Sequence, residues 1–593
     1  MNRINMDILL KNTYIRSLYW IILFICTGLM LVFPVELKEI YHTIQAPYIF
    51  SDLYLFSAIY LIWIICLTLL IFSSSIARYP MMENLFTVVI FSLVFCGYWI
   101  IITPNIGYTD GLYNLALVKQ LITTGNIPRD NMVLWYFDFP GLHIIGCVLC
   151  IICSFNILLM GNVFAIINIC VFSSILFLLY SNLFKKSAIA AFACVLSIMS
   201  NTFLADMLRL YYPHIIGLSL YLVFLFVLIK LSIVEKEPRK LAYTFLLILT
   251  LVGLTISYFS VPVIIVITLL LLYLARLLNS TKTTSPYLVI LSAILLLSWE
   301  ALYTTYIFGS LVSFLPKIWD DINSGKQFSA LFLIGLANAG ERVPVWANIV
   351  RWAWWLMVYA FGSLIMLYNL RHISKLDAKG LIVNLSLLGV IVLTILGVFG
   401  TRGGEQFARF IKYGTLFCVP ILLLFIMSLR PRFKVAIPVL VAVLILLSLP
   451  SFLTVVNTIE SDTYYSYDHR AGEFMELNYQ SGTNLTGFHV GLSLVALGPY
   501  YIPKATLVRT IEVWGLSEEA LWLRINDLLD QYELSKSVSN TKTIFVMNGK
   551  SIFLIEHLMG ITSDNPKWQE IFYRLNQSNL VYNNGFDDIF MAF

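Results

Sequence analysis

Charge is scarce in this chain. Asp, Glu, Lys and Arg together make up 12% of its 593 residues, about half the share of an ordinary soluble domain. With 59% hydrophobic residues and a mean hydropathy of +0.85, that scarcity excludes a water-soluble globule. Long blocks of one sign are also missing, and the formal net charge of +5 is spread over loop ends, so no nucleic-acid footprint is present. Short segments of alternating polarity, the mark of a membrane barrel, are absent too; the apolar runs are continuous and rich in Leu and Ile. The class that remains is a polytopic α-helical membrane protein.

Cysteine is missing from the polar C-terminal region. The nine cysteines, Cys26, Cys66, Cys96, Cys147, Cys150, Cys153, Cys170, Cys194 and Cys418, all lie in or beside apolar runs, which excludes a disulfide framework. The run CVLCIIC has a cluster-like spacing but no fourth ligand, and buried small hydrophobes account for it. No small-residue cleavage site follows the first apolar run, 17–34, so that run is expected to stay as an anchor. An internal repeat of the kind many transporters carry is not found.

What is there is a series of apolar runs long enough to cross a bilayer. Thirteen are expected, at 17–34, 53–73, 85–102, 161–180, 188–204, 214–234, 241–258, 260–278, 286–307, 350–369, 381–400, 411–429 and 434–456. The apolar segment 140–158 is ambiguous, and the distribution of basic residues decides it. If it lies at the interface or dips and returns, the short loops with Arg3, Lys11 and Arg16, with Arg78, with Lys185 and Lys186, with Lys236, Arg239 and Lys240, with Arg276 and Lys282, with Arg371, Lys375 and Lys379, and with Arg430, Arg432 and Lys434 all share one side. That side is expected to be cytoplasmic. The opposite, extracytoplasmic side then receives a large first loop, 103–160, and everything after 456.

Residues 457–593 change character. SEEALWLRINDLLDQY has an N-cap serine at Ser517 with acids in its first turn, and DNPKWQEIFYRLNQ sets Pro566 just inside a helix start. TKTIFVMN has strand composition, and LVYNNGFDDIFMAF reads as a hairpin turning at Asn583–Gly585. The expectation is a transmembrane domain, 1–456, followed by a small extracytoplasmic α/β domain, 457–593.

Asp110 stands at the extracytoplasmic end of the third span. It opens the helical pattern GLYNLALVKQLITTG, which Gly125 closes before Pro128. An anion at a helix N-terminus is favoured by the helix dipole and stays ionised; an ordinary N-cap would look the same. Asp110 has company on its side of the membrane: Asp138, His143, Asp206, Arg209, His214, Glu341, Arg342, Arg402, Glu405 and Arg409, near span ends. Ionisable groups are disfavoured near hydrocarbon, so their gathering points to a polar cavity, with solvated loop charges as the plainer account.

The run YTDGLYNLALVKQLITTGNIP, then YFDFPGLHIIGCVL, then a span ending in LLYSNLFKKSAIAA, resembles the opening of the GT-C superfamily of integral membrane glycosyltransferases. GTRGGEQFARFIKYGTLFCVPILLL is similar to the Glu- and Arg-rich late loop that leads into a span in such enzymes. The resemblance implies an acid in the first large extracytoplasmic loop, then an interfacial helix, and so a non-crossing 140–158. Asp110, Tyr113 and Leu115 match the Asp-x-Tyr-Tyr-His-Leu-like run of the oligosaccharyltransferase branch, with Asn114 in place of its histidine. The Trp-Trp-Asp tripeptide of that branch is absent. The protein-mannosyltransferase branch often pairs its first acid with Glu, and here Gly111 follows, so branch and acceptor stay open.

The resemblance implies transfer of a sugar from a polyprenyl- or dolichyl-phosphate donor to a protein, lipid or glycan acceptor on the extracytoplasmic face. Asp110 would be the general base. Arg402 and Arg409, with Arg209 and Arg342 behind them, would hold the leaving phosphate; snorkelling, or pairing with Glu405 and Glu341, is the alternative. Tyr113, Asn114, Asp138, His143, His214 and Glu405 complete the candidate substrate contacts. Trp135, Tyr136, Phe137 and Phe139 could stack on a sugar or form an interfacial belt. No cofactor is called for. With one acid in the first motif a divalent metal is weakly motivated, though Asp138 could approach in space. A transporter or flippase of a lipid-linked solute, or a non-catalytic relative, would use the same charges differently.

Overall fold

The computed structural model describes residues 14–30, 50–74, 79–102, 109–125, 139–200, 211–258 save 235, 260–279, 285–302, 345–398 and 405–428, with 446–447, 450–451, 484–488, 506–511, 543–548, 566–576, 579–583, 587–592 and parts of 522–530 towards the C-terminus. Fourteen described helices precede the first strand: α1 Tyr14–Met30, α2 Phe50–Ser73, α3 Pro80–Ile102, α4 Thr109–Thr124, α5 Gly141–Cys153, α6 Ile157–Leu183, α7 Ser187–Met199, α8 Pro213–Ile233, α9 Glu237–Ser257, α10 Ser260–Asn279, α11 Pro286–Leu302, α12 Val345–Arg371, α13 Ala378–Val398 and α14 Glu405–Ser428.

Among the described residues, seven helical stretches are long and apolar enough to cross a membrane: Pro80–Gly97, Leu159–Leu183, Pro213–Ile233, Glu237–Ser257, Ser260–Leu277, Ala353–Arg371 and Ala378–Leu396. Shorter apolar helices stand at five more of the expected spans: Tyr14–Met30, Ala58–Ser73, Ser187–Met199, Pro286–Trp299 and Lys412–Ser428. The expected span at 434–456 lies almost wholly outside the described residues. Apolar side chains such as Leu18, Phe24, Leu241, Phe245 and Leu249 are exposed along these helices. Water would not tolerate so much apolar surface, whereas acyl chains solvate it. The chain is a helical integral membrane protein.

Side-chain bonds gather the helix ends into two groups. At one end, Arg16 at the start of α1 pairs with Glu83 at the start of α3 and donates to the Ser73 carbonyl at the end of α2. Next to them Asn84 Nδ2 donates to Ser74 Oγ at 2.7 Å and to Ser187 Oγ, at the start of α7, at 3.0 Å. Lys379, at the start of α13, donates to the Asn182 carbonyl at the end of α6 at 2.6 Å. At the other end, Trp354 of α12 donates to Ser200 Oγ after α7 at 2.9 Å, and the start of α8 meets the third turn of α14 through His214 and Tyr413. Lys185, Lys186, Lys236, Arg239, Lys240, Arg371, Lys375 and Lys379 therefore gather at the first end, and α5 lies at the second.

Large aromatics close the interior, and the polar tips of Trp63 and Tyr180 are bonded there. Trp63 stacks between Tyr60 and Phe91, with centroids 5.9 and 6.0 Å away, while its indole N–H donates to Thr27 Oγ1 at 2.9 Å. Tyr180 donates to the Leu416 carbonyl at 2.7 Å and meets Ser197 Oγ at 2.9 Å, joining α6, α14 and α7.

Among the described residues five strands follow: β1 Asn484–Phe488, β2 Thr506–Ile511, β3 Thr543–Asn548, then β4 Asn579–Asn583 and β5 Asp587–Ala592 after the helix α15 Pro566–Asn576. They form one mixed sheet in the order β2-β1-β3-β5-β4. β1 runs parallel to β2 and β3, β5 antiparallel to β3 and β4, and β4–β5 is a hairpin. Pro566 takes the first helical position of α15, where its missing N–H costs nothing. Arg574 of α15 pairs with Asp530 at 2.5 Å, and Lys567 lies 5.6 Å from the Trp522 ring.

Candidate functional site

α4 starts at Thr109 and ends at Gly125, whose φ of +68° is a left-handed cap that glycine adopts without steric cost; its N–H bonds the Leu121 carbonyl at 2.9 Å. Asp110 is in the first turn, where the helix dipole favours an anion. One turn on, Asn114 is buried, with Leu115 and Val118 continuing the same packed face.

That face meets α5. At 13 residues α5 spans about 20 Å, short of the ~30 Å hydrocarbon thickness, and it carries no charge. Its buried side holds Leu142, His143, Gly146 and Cys150, and its other side exposes Ile144, Ile145, Val148, Ile151 and Ile152. Both of its faces are apolar. Ser154, with φ of 54°, turns the chain into α6.

His143 Nε2 lies 2.9 Å from Asn114 Oδ1. Burial holds the His143 pKa down, to about 3, so the ring is neutral. The Tyr211 hydroxyl donates to the Leu142 carbonyl at 2.9 Å, and its ring meets Phe164 edge-on at 5.2 Å. Gly141 and Gly146 permit close approach: a Cβ on Gly141 would lie 2.5 Å from Ser257 Oγ and 3.2 Å from the Ile256 carbonyl, and one on Gly146 would overlap the Tyr211 hydroxyl.

The Gly141–Ser257 contact leads to a second group. Tyr258 follows α9, and its ring meets His214 edge-on at 4.8 Å while its Cβ covers Gly217. His214, the second residue of α8, is buried with Nε2 3.4 Å from the Tyr413 hydroxyl in α14. Arg409 and Glu405 lie four and eight residues before Tyr413, at the start of that helix. One connected series of contacts thus runs from α4 through α5, α9 and α8 to α14.

The structure brings together Asn114 with His143, and His214 with Tyr413. Asp110, Tyr113, Glu405 and Arg409 have their backbones in α4 and α14, but their side chains lie outside the described residues. Asp138, Arg209, Arg342 and Arg402 lie outside them altogether, as do Trp135, Tyr136 and Phe137; Phe139 is buried. Among the described residues no three His, Cys, Asp or Glu gather as a metal set.

Tyr211, Tyr258, Tyr413 and Lys412 were not among the residues expected from sequence. Tyrosines inside apolar runs carry no local signal of a partner. Lys412 did carry one, because a lysine just inside an apolar run is costly unless it is housed; it is buried in α14.

No protein family matches the chain by sequence, and no curated protein is similar to it. Several solved structures are similar in backbone. The Archaeoglobus fulgidus oligosaccharyltransferase in complex with Zn and sulfate is 14% identical, with 80% of this chain and 70% of that one covered and a TM-score of 0.49. ArnT from Cupriavidus metallidurans bound to undecaprenyl phosphate is 9% identical over 87% of this chain and 98% of its own, with a TM-score of 0.46. The mycobacterial arabinofuranosyltransferase AftD is 13% identical over 87% of this chain and 41% of its own, also at 0.46.

Proposed function

We propose that the chain is a membrane glycosyltransferase that moves a sugar from a polyprenyl- or dolichyl-phosphate carrier to an acceptor on the extracytoplasmic face. The observation that carries this is the seating of α4, with Asp110 in its first turn, on the short apolar helix α5 at the end of the bundle away from the basic loops. A lipid-linked donor keeps its tail in hydrocarbon and its phosphate at headgroup depth, which is the depth of a helix end beside α5.

Asp110 acts as general base. It takes the proton of an acceptor hydroxyl as that oxygen bonds the anomeric carbon, while the bond from that carbon to the carrier phosphate breaks and the phosphate leaves with the electron pair. Arg409, near the start of α14, and Arg402 before it offer guanidinium forks to that phosphate. The N-terminus is cytoplasmic, and residues 457–593 form an extracytoplasmic α/β domain.

Purified protein in nanodiscs, given radiolabelled polyprenyl-phosphate sugars and cell-envelope acceptors, should transfer label. Asp110→Asn should lower the rate by about 100-fold or more, the usual scale of general-base loss. Undiminished transfer by that variant would remove Asp110 as the base, and export of the lipid-linked sugar without transfer would favour a flippase. A reporter fused after Phe593 should give an extracytoplasmic signal.

A further inference from the structure

Asn114 and His143 were expected to touch substrate. The structure buries both, at 0% and 1% exposure, and joins them at 2.9 Å between α4 and α5. We infer that this hydrogen bond is a positioning device: it sets the rotation and depth of the first turns of α4 against α5, and so places Asp110, without either side chain contacting donor or acceptor. The inference rests on the role given to Asp110 above.

The leverage is short. Asn114 is four residues after Asp110, one helical turn, so a bond that fixes Asn114 fixes the helix face one turn from the base. An amide oxygen accepts only, so the imidazole carries its proton on Nε2 and donates it. Burial supports the neutral form of the ring. The pair sits among Leu115, Val118, Leu142 and Cys150, where an amide or imidazole deprived of its partner would be costly. α4 therefore has one strongly favoured seat on α5.

α5 is itself anchored. Its Leu142 carbonyl accepts from Tyr211, Gly141 backs onto Ser257, and Gly146 admits the Tyr211 hydroxyl. A bond from α4 to this platform carries position; a bond to a mobile segment would not. Placement errors near 1 Å cost on the order of 100-fold in rate, so a pair remote from the reacting atoms can still control turnover.

The test uses the full chain in nanodiscs with Asn114→Ala, His143→Ala, His143→Gln and the double alanine variant, and two readouts. In donor kinetics each alanine variant should lose roughly 10- to 100-fold in kcat with KM for the polyprenyl-phosphate sugar within about twofold, because uniform binding is untouched. The double variant should be no slower than the worse single one, and His143→Gln, whose amide N–H can reach the Asn114 oxygen, should recover part of kcat. A tenfold or greater rise in KM at unchanged kcat would make the two residues substrate ligands and overturn the inference.

Amide exchange over 112–124 should be about tenfold faster in both alanine variants than in the wild type. Unchanged exchange would overturn the inference whatever the kinetics. If the wild-type protein transferred no sugar, the proposed activity would fall, while the exchange measurement would still decide whether the pair holds α4. His143→Gln keeps both readouts accessible should the alanine variants fail to fold.

Discussion

His214 and Tyr413 meet with Nε2 and the hydroxyl oxygen 3.4 Å apart, across 199 residues of chain. The contact joins the start of α8 to the third turn of α14, the helix that carries Arg409. At that length the bond is weak, so Tyr413→Phe should cost on the order of 0.5 kcal/mol in thermal stability. Sugar transfer should fall by more than that loss explains, since Arg409, proposed above to hold the leaving phosphate, belongs to the same helix. Wild-type kinetics in the phenylalanine variant would show that this junction does not serve the reaction.

Gly146 has no room for a methyl group. A Cβ there overlaps the Tyr211 hydroxyl and comes within 3.0 Å of Val118 and 3.1 Å of Met160, all three members of one buried cluster. Gly146→Ala should lower stability by roughly 1–3 kcal/mol, the scale of overpacking. Gly253 is the control: its nearest neighbour would be Leu220 at 3.6 Å, so Gly253→Ala should be neutral or slightly stabilising. Differential scanning fluorimetry of the two variants in the same detergent compares them directly.

Arg16 and Glu83 pair at the opposite end of the bundle, and Trp20 also donates to Glu83 Oε1 at 3.2 Å. Both charges are largely buried. Removing one leaves the other desolvated without its counter-charge, a loss of about 3–5 kcal/mol for a buried pair, so Arg16→Met should unfold well below the wild type. Arg16→Met/Glu83→Leu, which removes both charges, should unfold closer to the wild type than either single variant. Thermal midpoints of the four proteins form the cycle, and equal additive losses would mean that the two charges are independently solvated.

The His143 pKa is held at about 3 in the folded chain, against ~6.5 for a free imidazole. Between those values the unfolded chain takes up a proton that the folded chain refuses. The contribution of His143 to stability is therefore complete above about pH 6.5 and declines as pH falls towards 3. His143→Gln, which cannot titrate, should flatten that part of the curve. Unfolding temperatures measured from pH 7.5 to 4 would show the same slope in both proteins if the ring were free to protonate in place.

The presence and approximate place of the described helices could be read along the chain because each depends on local composition, while limits such as Pro80 and Met199 fall about five residues from those expected. Continuous Leu and Ile runs must satisfy their own backbone in lipid, which leaves only helices. Gly125 stops α4 and Pro566 starts α15 for reasons confined to one or two residues. The segment 140–158 failed as a span only in the charge distribution of its neighbouring loops, and the helix found within it is Gly141–Cys153.

Which side chains meet was decided only by the tertiary structure. A helix apolar on every side does not declare which stripe packs on protein and which on lipid. Asn114 reads as a departure from a motif, yet its partner His143 is found only once α4 and α5 have a crossing angle and a rotation. Tyr413 and Tyr258 look like ordinary aromatic residues in apolar runs until His214 is placed between them. The sequence by itself determined that this chain lives in a membrane, roughly where the described helices run, and that an acid stands in the first turn of α4. Packing decided what holds that helix in place, because partners 29 and 199 residues apart are joined by geometry that no local pattern encodes.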